Sequence, residues 1–321
     1  MKAAVLHQFG ETPRYEDFPD PVPGAEELLV HVKAIALENV DKVMADGSHF
    51  ASRQFLSTLP AIVGFDGIGM LEDGKLVGFG GVKAPYGAMA EKTIVPNAYT
   101  VPIPEGMDAV TAAAMPASAL TSLFPLKCGA KLQPGETVLI NGATGVSGKL
   151  AVQIAKLLGA GRVVGTGRNP QSMQKALELG ADVVIDLKQS DEKLAEAFKK
   201  EAGNGYDVIL DFLWGHPTEV LIKTLIPTEL GLSKPVRLVQ VGEKAGTTIS
   251  LSADSLRTSG LEILGGAARI TMEAIGEGTR QVYDWIKANK LQMEIEQVPL
   301  KDIEKVWQRT DFKGKRIVIV P

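Results

Sequence analysis

A chain of 321 residues, 45% hydrophobic and 22% charged, has the length of two domains and enough apolar material to give each a core. A formal net charge of −4, with no block of lysine and arginine, argues against nucleic acid as a main partner. The one cysteine, Cys128, can form no internal disulfide and excludes a multi-cysteine zinc site. With an opening apolar run too short for a signal peptide, and no run of about eighteen apolar residues, the expectation is a cytoplasmic protein without a membrane span.

Residues 1–116 read as strand- and turn-rich. KAAVL and ELLVHVKAIAL have strand composition, PDPVPG is a proline-punctuated loop, and glycine and proline recur at short spacing from Pro60 to Pro104. Such spacing fits a compact, partly open β-barrel better than βαβ units. Over residues 117–270 the rhythm changes. The β-like runs TVLIN, RVVGT, DVVID, YDVILD, VRLVQVG and LEILGG alternate with helical patterns such as QSMQKALELGA and DEKLAEAFKKEAG. Strands joined by crossover helices make an α/β, doubly wound parallel sheet. Residues 271–321 hold a helical pattern (TRQVYDWIKANK), a strand (MEIEQV), a short helix (LKDIEKVWQRT) and a last strand (KRIVIV). With the parallel sheet already complete, this segment is expected to link back to the first domain.

The chain is organised around ETVLINGATGVSGKLAVQIAKLLGA, residues 136–160. A β-branched run enters a turn with Gly142, Gly145 and Gly148 at three-residue spacing. Leu150, Ile154, Leu157 and Leu158 then recur on one helix face, and Gly159 stops the helix. Strand, glycine turn and helix is the context in which a pyrophosphate meets free N–H groups at a helix N-terminus. The alternative is a tight turn without a ligand; the flanking units favour a dinucleotide. Asn141, Gly142, Ala143, Thr144, Gly145, Val146 and Gly148 are therefore candidate cofactor contacts. The second strand ends in Thr166, Gly167, Arg168 and Asn169, with no acid before Glu178. An NAD site needs a carboxylate for the ribose hydroxyls about twenty residues after the glycines, whereas a guanidinium there suits a 2′-phosphate. The cofactor expected is NADP. Val241, Gly242, Gly265, Gly266 and Thr121 complete the candidate set.

These motifs carry a family resemblance over nearly the whole chain. MKAAVLHQFG, LPAIVGFDGIG, the segment AMAEKTIVPNAYTVPIPEGMDAVTAAAMPASALTSLFPL, the glycine turn and KGKRIVIVP resemble the zinc-independent, quinone-oxidoreductase-like branch of the medium-chain dehydrogenase/reductase superfamily. The resemblance implies a GroES-like β-rich catalytic domain, a Rossmann cofactor domain and a cleft between them. It also implies a homodimer formed through the last Rossmann strand, here LEILGGAARI, since an apolar edge strand invites pairing with its own copy. Departures are informative. Phe65 and Asp66 stand where a histidine and a glutamate are usual, IALENVDKVMADG holds no cysteine, and the four-cysteine zinc lobe is missing, so no metal is expected. Where many relatives carry an asparagine and an aspartate three apart, this chain has Glu38 and Asp41.

Candidate catalytic residues are Glu38, Asp41, Lys42, His49 and Tyr86. Each has a plainer alternative: a helix cap for Asp41, a solvated lysine, a structural histidine, a packed tyrosine. Arg53 is read as a surface residue, the alternative being a contact for an anionic substrate group, and His216 as a candidate contact to the cofactor. The function implied is NADPH-dependent hydride transfer to a quinone or an α,β-unsaturated carbonyl. Enoyl-thioester reduction, or NADPH binding with little catalysis, is the alternative.

Overall fold

A computed structural model describes residues 1–227, 233–310, 312 and 314–321. They fall into two compact units, Met1–Pro116 with Glu294–Pro321, and Ala117–Met293.

In the first unit β1 (Lys2–Leu6) lies antiparallel to β2 (Arg14–Asp17). Four of the five KAAVL positions are buried. The longest strand, β3 (Glu27–Leu37), alternates at first, has a bulge between Val32 and Ala34, and is wholly buried from Ala34 to Leu37. It runs straight into α1 (Asn39–Ala45), followed by α2 (Ser52–Phe55), β4 (Ala61–Ile62), β5 (Gly67–Met70), β6 (Leu76–Phe79), β7 (Lys92–Pro96), β8 (Thr100–Pro102) and α3 (Ala109–Ala114). β4 pairs with β1, and β5 and β7 both pair with β3.

The second unit begins with α4 (Pro116–Phe124) and a π-turn over Pro125–Gly129. Pro125 has no N–H for the helix ladder, and the turn closes instead from Ala130 N–H to the Pro125 carbonyl at 2.7 Å. Then come β9 (Thr137–Asn141), α5 (Val146–Leu157), β10 (Arg162–Gly167), α6 (Pro170–Glu178), β11 (Val183–Asp186), α7 (Asp191–Ala202), β12 (Val208–Asp211), α8 (Gly215–Thr224), β13 (Val236–Gln240), α9 (Ala253–Thr258), β14 (Leu261–Gly265) and α10 (Met272–Lys287). The six strands are all parallel, in the order β11-β10-β9-β12-β13-β14. This is the doubly wound nucleotide-binding order, with a switch point beside β9. Leu139, Val164, Ile209 and Leu238, one from each central strand, pack with Phe198 and Tyr206 in one core. Each side chain so buried contributes about 1.5–3 kcal/mol.

The chain then returns to the first unit as β15 (Ile295–Pro299), α11 (Ile303–Trp307) and β16 (Arg316–Val320). β16 lies antiparallel to β3, with Ile317 opposite Leu37. The larger sheet runs β15-β16-β3-β5-β6-β8, with β7 also on β3. Lys313 of the KGKRIVIVP motif lies outside the described residues.

Two expectations shift. The last long helix begins at Met272, ahead of Thr279, because the Thr271 hydroxyl caps it through Ala274 N–H. The linking helix also divides differently from a break at residue 271: α10 lies within the second unit, and the change comes at Glu294. α10 packs closely on α4 at Gly278, where a Cβ would lie 2.5 Å from Phe124 Cε1. One continuous helical run, Ala109–Gly129, has the length and apolar composition of a membrane span, with a mean hydropathy of 1.4, but 56% of that window is already buried within the protein.

Candidate functional site

The second unit places the glycine turn at the carboxyl end of the central strand. α5 starts at Gly145 with no side chain capping it, so its first-turn N–H groups remain available to an anion. The close approach is specific to glycine: a Cβ on Gly148 would lie 2.1 Å from the Gly142 carbonyl oxygen, and one on Gly167 would lie 2.3 Å from Thr144 Cγ2. Glycine is thus required at both positions by the packing of the turn against its own neighbours.

Beneath the turn lies a buried polar network. Asn141 Nδ2 donates to Asp211 Oδ1 (3.0 Å) and to Thr218 Oγ1 (3.2 Å), and the Thr218 hydroxyl donates to Asp211 Oδ2 (2.6 Å). The Thr166 hydroxyl donates to Asn141 Oδ1 (2.8 Å) and accepts from Gly142 N–H (2.8 Å). Leu213 N–H and Trp214 N–H donate to Asp211 Oδ1 at 2.9 and 3.1 Å. Burial pushes the Asp211 carboxyl up, against the pull of these donors. The Asp211 carbonyl accepts from Val241 N–H (2.8 Å) and Gly242 N–H (3.1 Å), and a Cβ on Gly266 would lie 3.5 Å from Val241 Cα. Asn141, Gly142, Thr166, Val241, Gly242 and Gly266 are therefore gathered at one end of the sheet.

Other candidates are spread around this end. Arg168 is exposed, and Asn169 Oδ1 caps α6 by accepting from Ser172 N–H at 3.0 Å. The Thr121 hydroxyl donates within its own helix, to Ala117 at 2.7 Å, while its neighbour Ser122 donates to the Ser147 carbonyl at 3.1 Å. A Cβ on Gly265 would meet open space. His216 Nε2 pairs with Asp191 Oδ1 at 2.8 Å on an exposed surface.

The first unit holds a cluster of opposite character. Glu38 ends β3 and forms a capping box on α1: its backbone N–H donates to Asp41 Oδ2 (2.7 Å), and its side chain accepts from Asp41 N–H. Arg316, opening β16, reaches back with Nη1 to the Leu37 carbonyl (3.3 Å) and with Nη2 to Glu38 Oε1 (3.3 Å). Desolvation raises the Asp41 carboxyl well above the ordinary range; the hydrogen bond from Glu38 N–H opposes it, the Glu38 and Asp66 charges add to it, and Arg316 opposes it weakly. Asp66 keeps solvent access yet sits among crowded protein atoms. That crowding, and then the Glu38 charge, raise its carboxyl to about 6, again against Arg316.

Three catalytic candidates spend their polar groups locally. Asp41 is 5% exposed and serves the cap. Lys42 donates to the Arg309 carbonyl (2.7 Å) and lies over the Phe312 ring. Tyr86 packs edge-on against Phe18, its hydroxyl 3.5 Å from the Asp20 carbonyl. His49 Nδ1 accepts from Ala51 N–H, and its ring stacks on Phe50, which is 95% exposed. Arg53 lies over Phe9, and Phe65 packs edge-on against Phe55 at 5.1 Å. The candidates read from the sequence omit Arg316, Asp66 and Asp211. The signal for two of them was a charge at the end of an otherwise apolar run, RIVIV or YDVILD.

A family profile described as zinc-binding dehydrogenase matches residues 147–227, within the unit that carries the glycine turn. The chain is 28% identical over 300 residues to an NAD-dependent alcohol dehydrogenase of Sulfolobus acidocaldarius, covering 83% of this chain and 84% of the relative. It is 29% identical over 328 residues to the trans-enoyl reductase pgmF of Aspergillus terreus, covering 92% and 86%. The fold superposes on the quinone oxidoreductase of Thermus thermophilus, solved alone and with NADPH, with a TM-score of 0.79, 26% identity and full coverage of both chains. By these comparisons the chain is similar to the quinone-oxidoreductase-like members of the medium-chain dehydrogenase/reductase superfamily. Its two units are the superfamily's GroES-like and Rossmann folds. These similarities support a nicotinamide-dependent oxidoreductase acting on a small molecule.

Proposed function

We propose that the protein is a zinc-independent reductase that uses NADPH to reduce quinones or activated C=C bonds of enones and enals. One observation carries the reading. At the positions where zinc-dependent relatives hold the metal, this chain offers a phenylalanine ring, Phe65 against Phe55, and no thiol. Among the described residues no group of three or more His, Cys, Asp or Glu side chains has the arrangement to hold a metal ion. Without a Lewis acid an alkoxide lacks its main stabiliser. A conjugated acceptor spreads the charge onto an enolate or hydroquinone oxygen, for which hydrogen-bond donors suffice.

A bound nicotinamide cofactor would supply the hydride. Gly142, Ala143, Thr144, Gly145, Val146 and Gly148 are assigned to its pyrophosphate, and Arg168 to the 2′-phosphate. Thr166, Gly167 and Asn169 flank the ribose, and Asn141, Thr121, Val241, Gly242, Gly265 and Gly266 surround the remainder. Of the catalytic candidates, Glu38 and His49 are assigned to the substrate side, while Asp41, Lys42 and Tyr86 support the fold. The reading includes a homodimer through β14, whose exposed Ile263 lies on a strand hydrogen-bonded to β13. With Cys128 a free thiol, it also includes the reducing cytoplasm.

NADPH oxidation against a benzoquinone, an enone, an alkenal and a crotonyl thioester tests this, with and without a chelator. Turnover of a quinone, enone or alkenal, unaffected by the chelator, is expected. Turnover of the thioester alone would favour the second reading, which the similarity to a trans-enoyl reductase supports. Binding without turnover anywhere would leave a nucleotide-binding protein. Light scattering at micromolar concentration should give the mass of two chains.

A further inference from the structure

We propose that Asp211 is a positioning residue that locks the glycine turn, the end of β10 and the loop after β12 into one rigid nucleotide cradle; this rests on the cofactor reading above. The register places Asp211 between Asn141 at the end of β9 and Gln240 at the end of β13. Its side chain is wholly buried. It accepts from neutral donors: Asn141 Nδ2, the Thr218 hydroxyl, and the N–H groups of Leu213 and Trp214.

This arrangement has a direction. The carboxylate accepts only, so Asn141 must turn its NH2 toward Asp211 and its carbonyl oxygen toward Thr166. That oxygen takes the Thr166 proton, leaving the Thr166 lone pairs to receive Gly142 N–H. The position of Gly142 is thus set from Asp211 through two side chains. The same carboxylate holds the opposite wall. Trp214 has φ 53° and ψ −165°, a region that side chains rarely occupy, and its N–H is tied to Oδ1. Such strain persists only where the surroundings over-determine it, and it concentrates at ligand clamps. A Cβ on Gly142 would lie 3.1 Å from Leu213 Cδ2, so the two walls touch. The Asp211 backbone carbonyl adds a fourth segment, the loop after β13, through Val241 and Gly242.

Asp211→Asn replaces one acceptor oxygen with a donor that faces other donors. Thr166→Val cuts the link to Gly142 while leaving Asp211 intact, and serves if the first variant does not fold. Tyr206→Phe is the control; it removes a buried hydrogen bond to the Phe198 carbonyl (2.8 Å) in the same unit, away from the cradle. Fluorescence titration with NADPH should show Kd raised at least about tenfold in Asp211→Asn and in Thr166→Val. The double variant should lose less than the product of the two, because both act on one chain of bonds. Tyr206→Phe should lower Tm and leave Kd alone. In the cofactor-free protein, the Gly142 and Trp214 amides should exchange hydrogen faster in Asp211→Asn than in wild type. If wild type binds neither NADPH nor NADH, the cofactor reading fails, and the exchange rates still decide whether Asp211 stiffens the turn. If wild type binds and Asp211→Asn keeps both its Kd and its exchange rates, the positioning role is wrong and the cofactor reading stands.

Discussion

Each unit confines carboxylates next to a strand end, and the two do it by opposite means. In the Rossmann unit Asp211 is surrounded by neutral donors, each aimed by an element of the sheet. In the GroES-like unit Glu38, Asp41 and Asp66 crowd together around the Arg316 guanidinium, and two of the three carboxyls are pushed upward. Neutral dipoles fix geometry and pull against the burial that raises the Asp211 carboxyl. In the second cluster burial is the main cause of the upward shifts, and the like charges add to it against the pull of the Arg316 cation. The first arrangement suits a surface that must hold a ligand in one pose, the second a surface that exchanges protons.

The largest effect should come from removing the cation. Arg316 is 8% exposed, and Arg316→Ala leaves Glu38 and its neighbours uncompensated. Loss of one partner of a buried pair costs about 3–5 kcal/mol; partial exposure of Glu38 places the expected loss at the lower end. Urea unfolding at pH 7.5 should show it, and the loss should shrink at pH 5, where Asp66 is protonated. A pH-independent loss would mean that Arg316 acts through packing alone. Next is Gly148→Ala, since its Cβ would collide with the Gly142 carbonyl. Overpacking of about 1–3 kcal/mol should appear in Tm together with weaker NADPH binding. Unchanged binding would separate the turn from the cofactor.

Arg168→Ala should raise Kd for NADPH about tenfold and leave NADH unchanged, the loss of one charge-assisted contact; equal losses for both would move Arg168 to the pyrophosphate or the fold. Asp66→Asn sharpens the comparison through pH. The folded carboxyl titrates at about 6, above its ordinary 3.8. The folded state therefore holds this proton more tightly than the unfolded chain, so Asp66 contributes stability fully below its ordinary value and loses it as pH rises through about 6. The variant should thus have a higher Tm than wild type at pH 8 and no advantage at pH 4. Because solvent reaches Asp66 the shift should be small, and a lower Tm at pH 8 would refute the crowding. Smallest of all, Tyr86→Phe should change kcat and Tm hardly at all, because its hydroxyl makes only a long contact with Asp20; a tenfold fall in kcat would make Tyr86 a proton donor after all.

The nucleotide turn was legible in the sequence because everything it needs is local. A β-branched run, glycines at fixed spacing and an amphipathic helix follow one another within the chain, and the requirement for glycine at Gly148 is a clash with a residue six positions away. The six-stranded rhythm was legible for the same reason, since parallel strands alternate with helices along the chain. Only the tertiary structure decided the partners. Asp211 meets Asn141 because the β9–β12 register sets those strand ends side by side, 70 positions apart in sequence. Arg316 meets the end of β3 because β16 returns antiparallel to it. A side chain's periodicity states which face it occupies; what stands opposite depends on register between distant strands, and that is settled when the cores on both sides of the sheet pack.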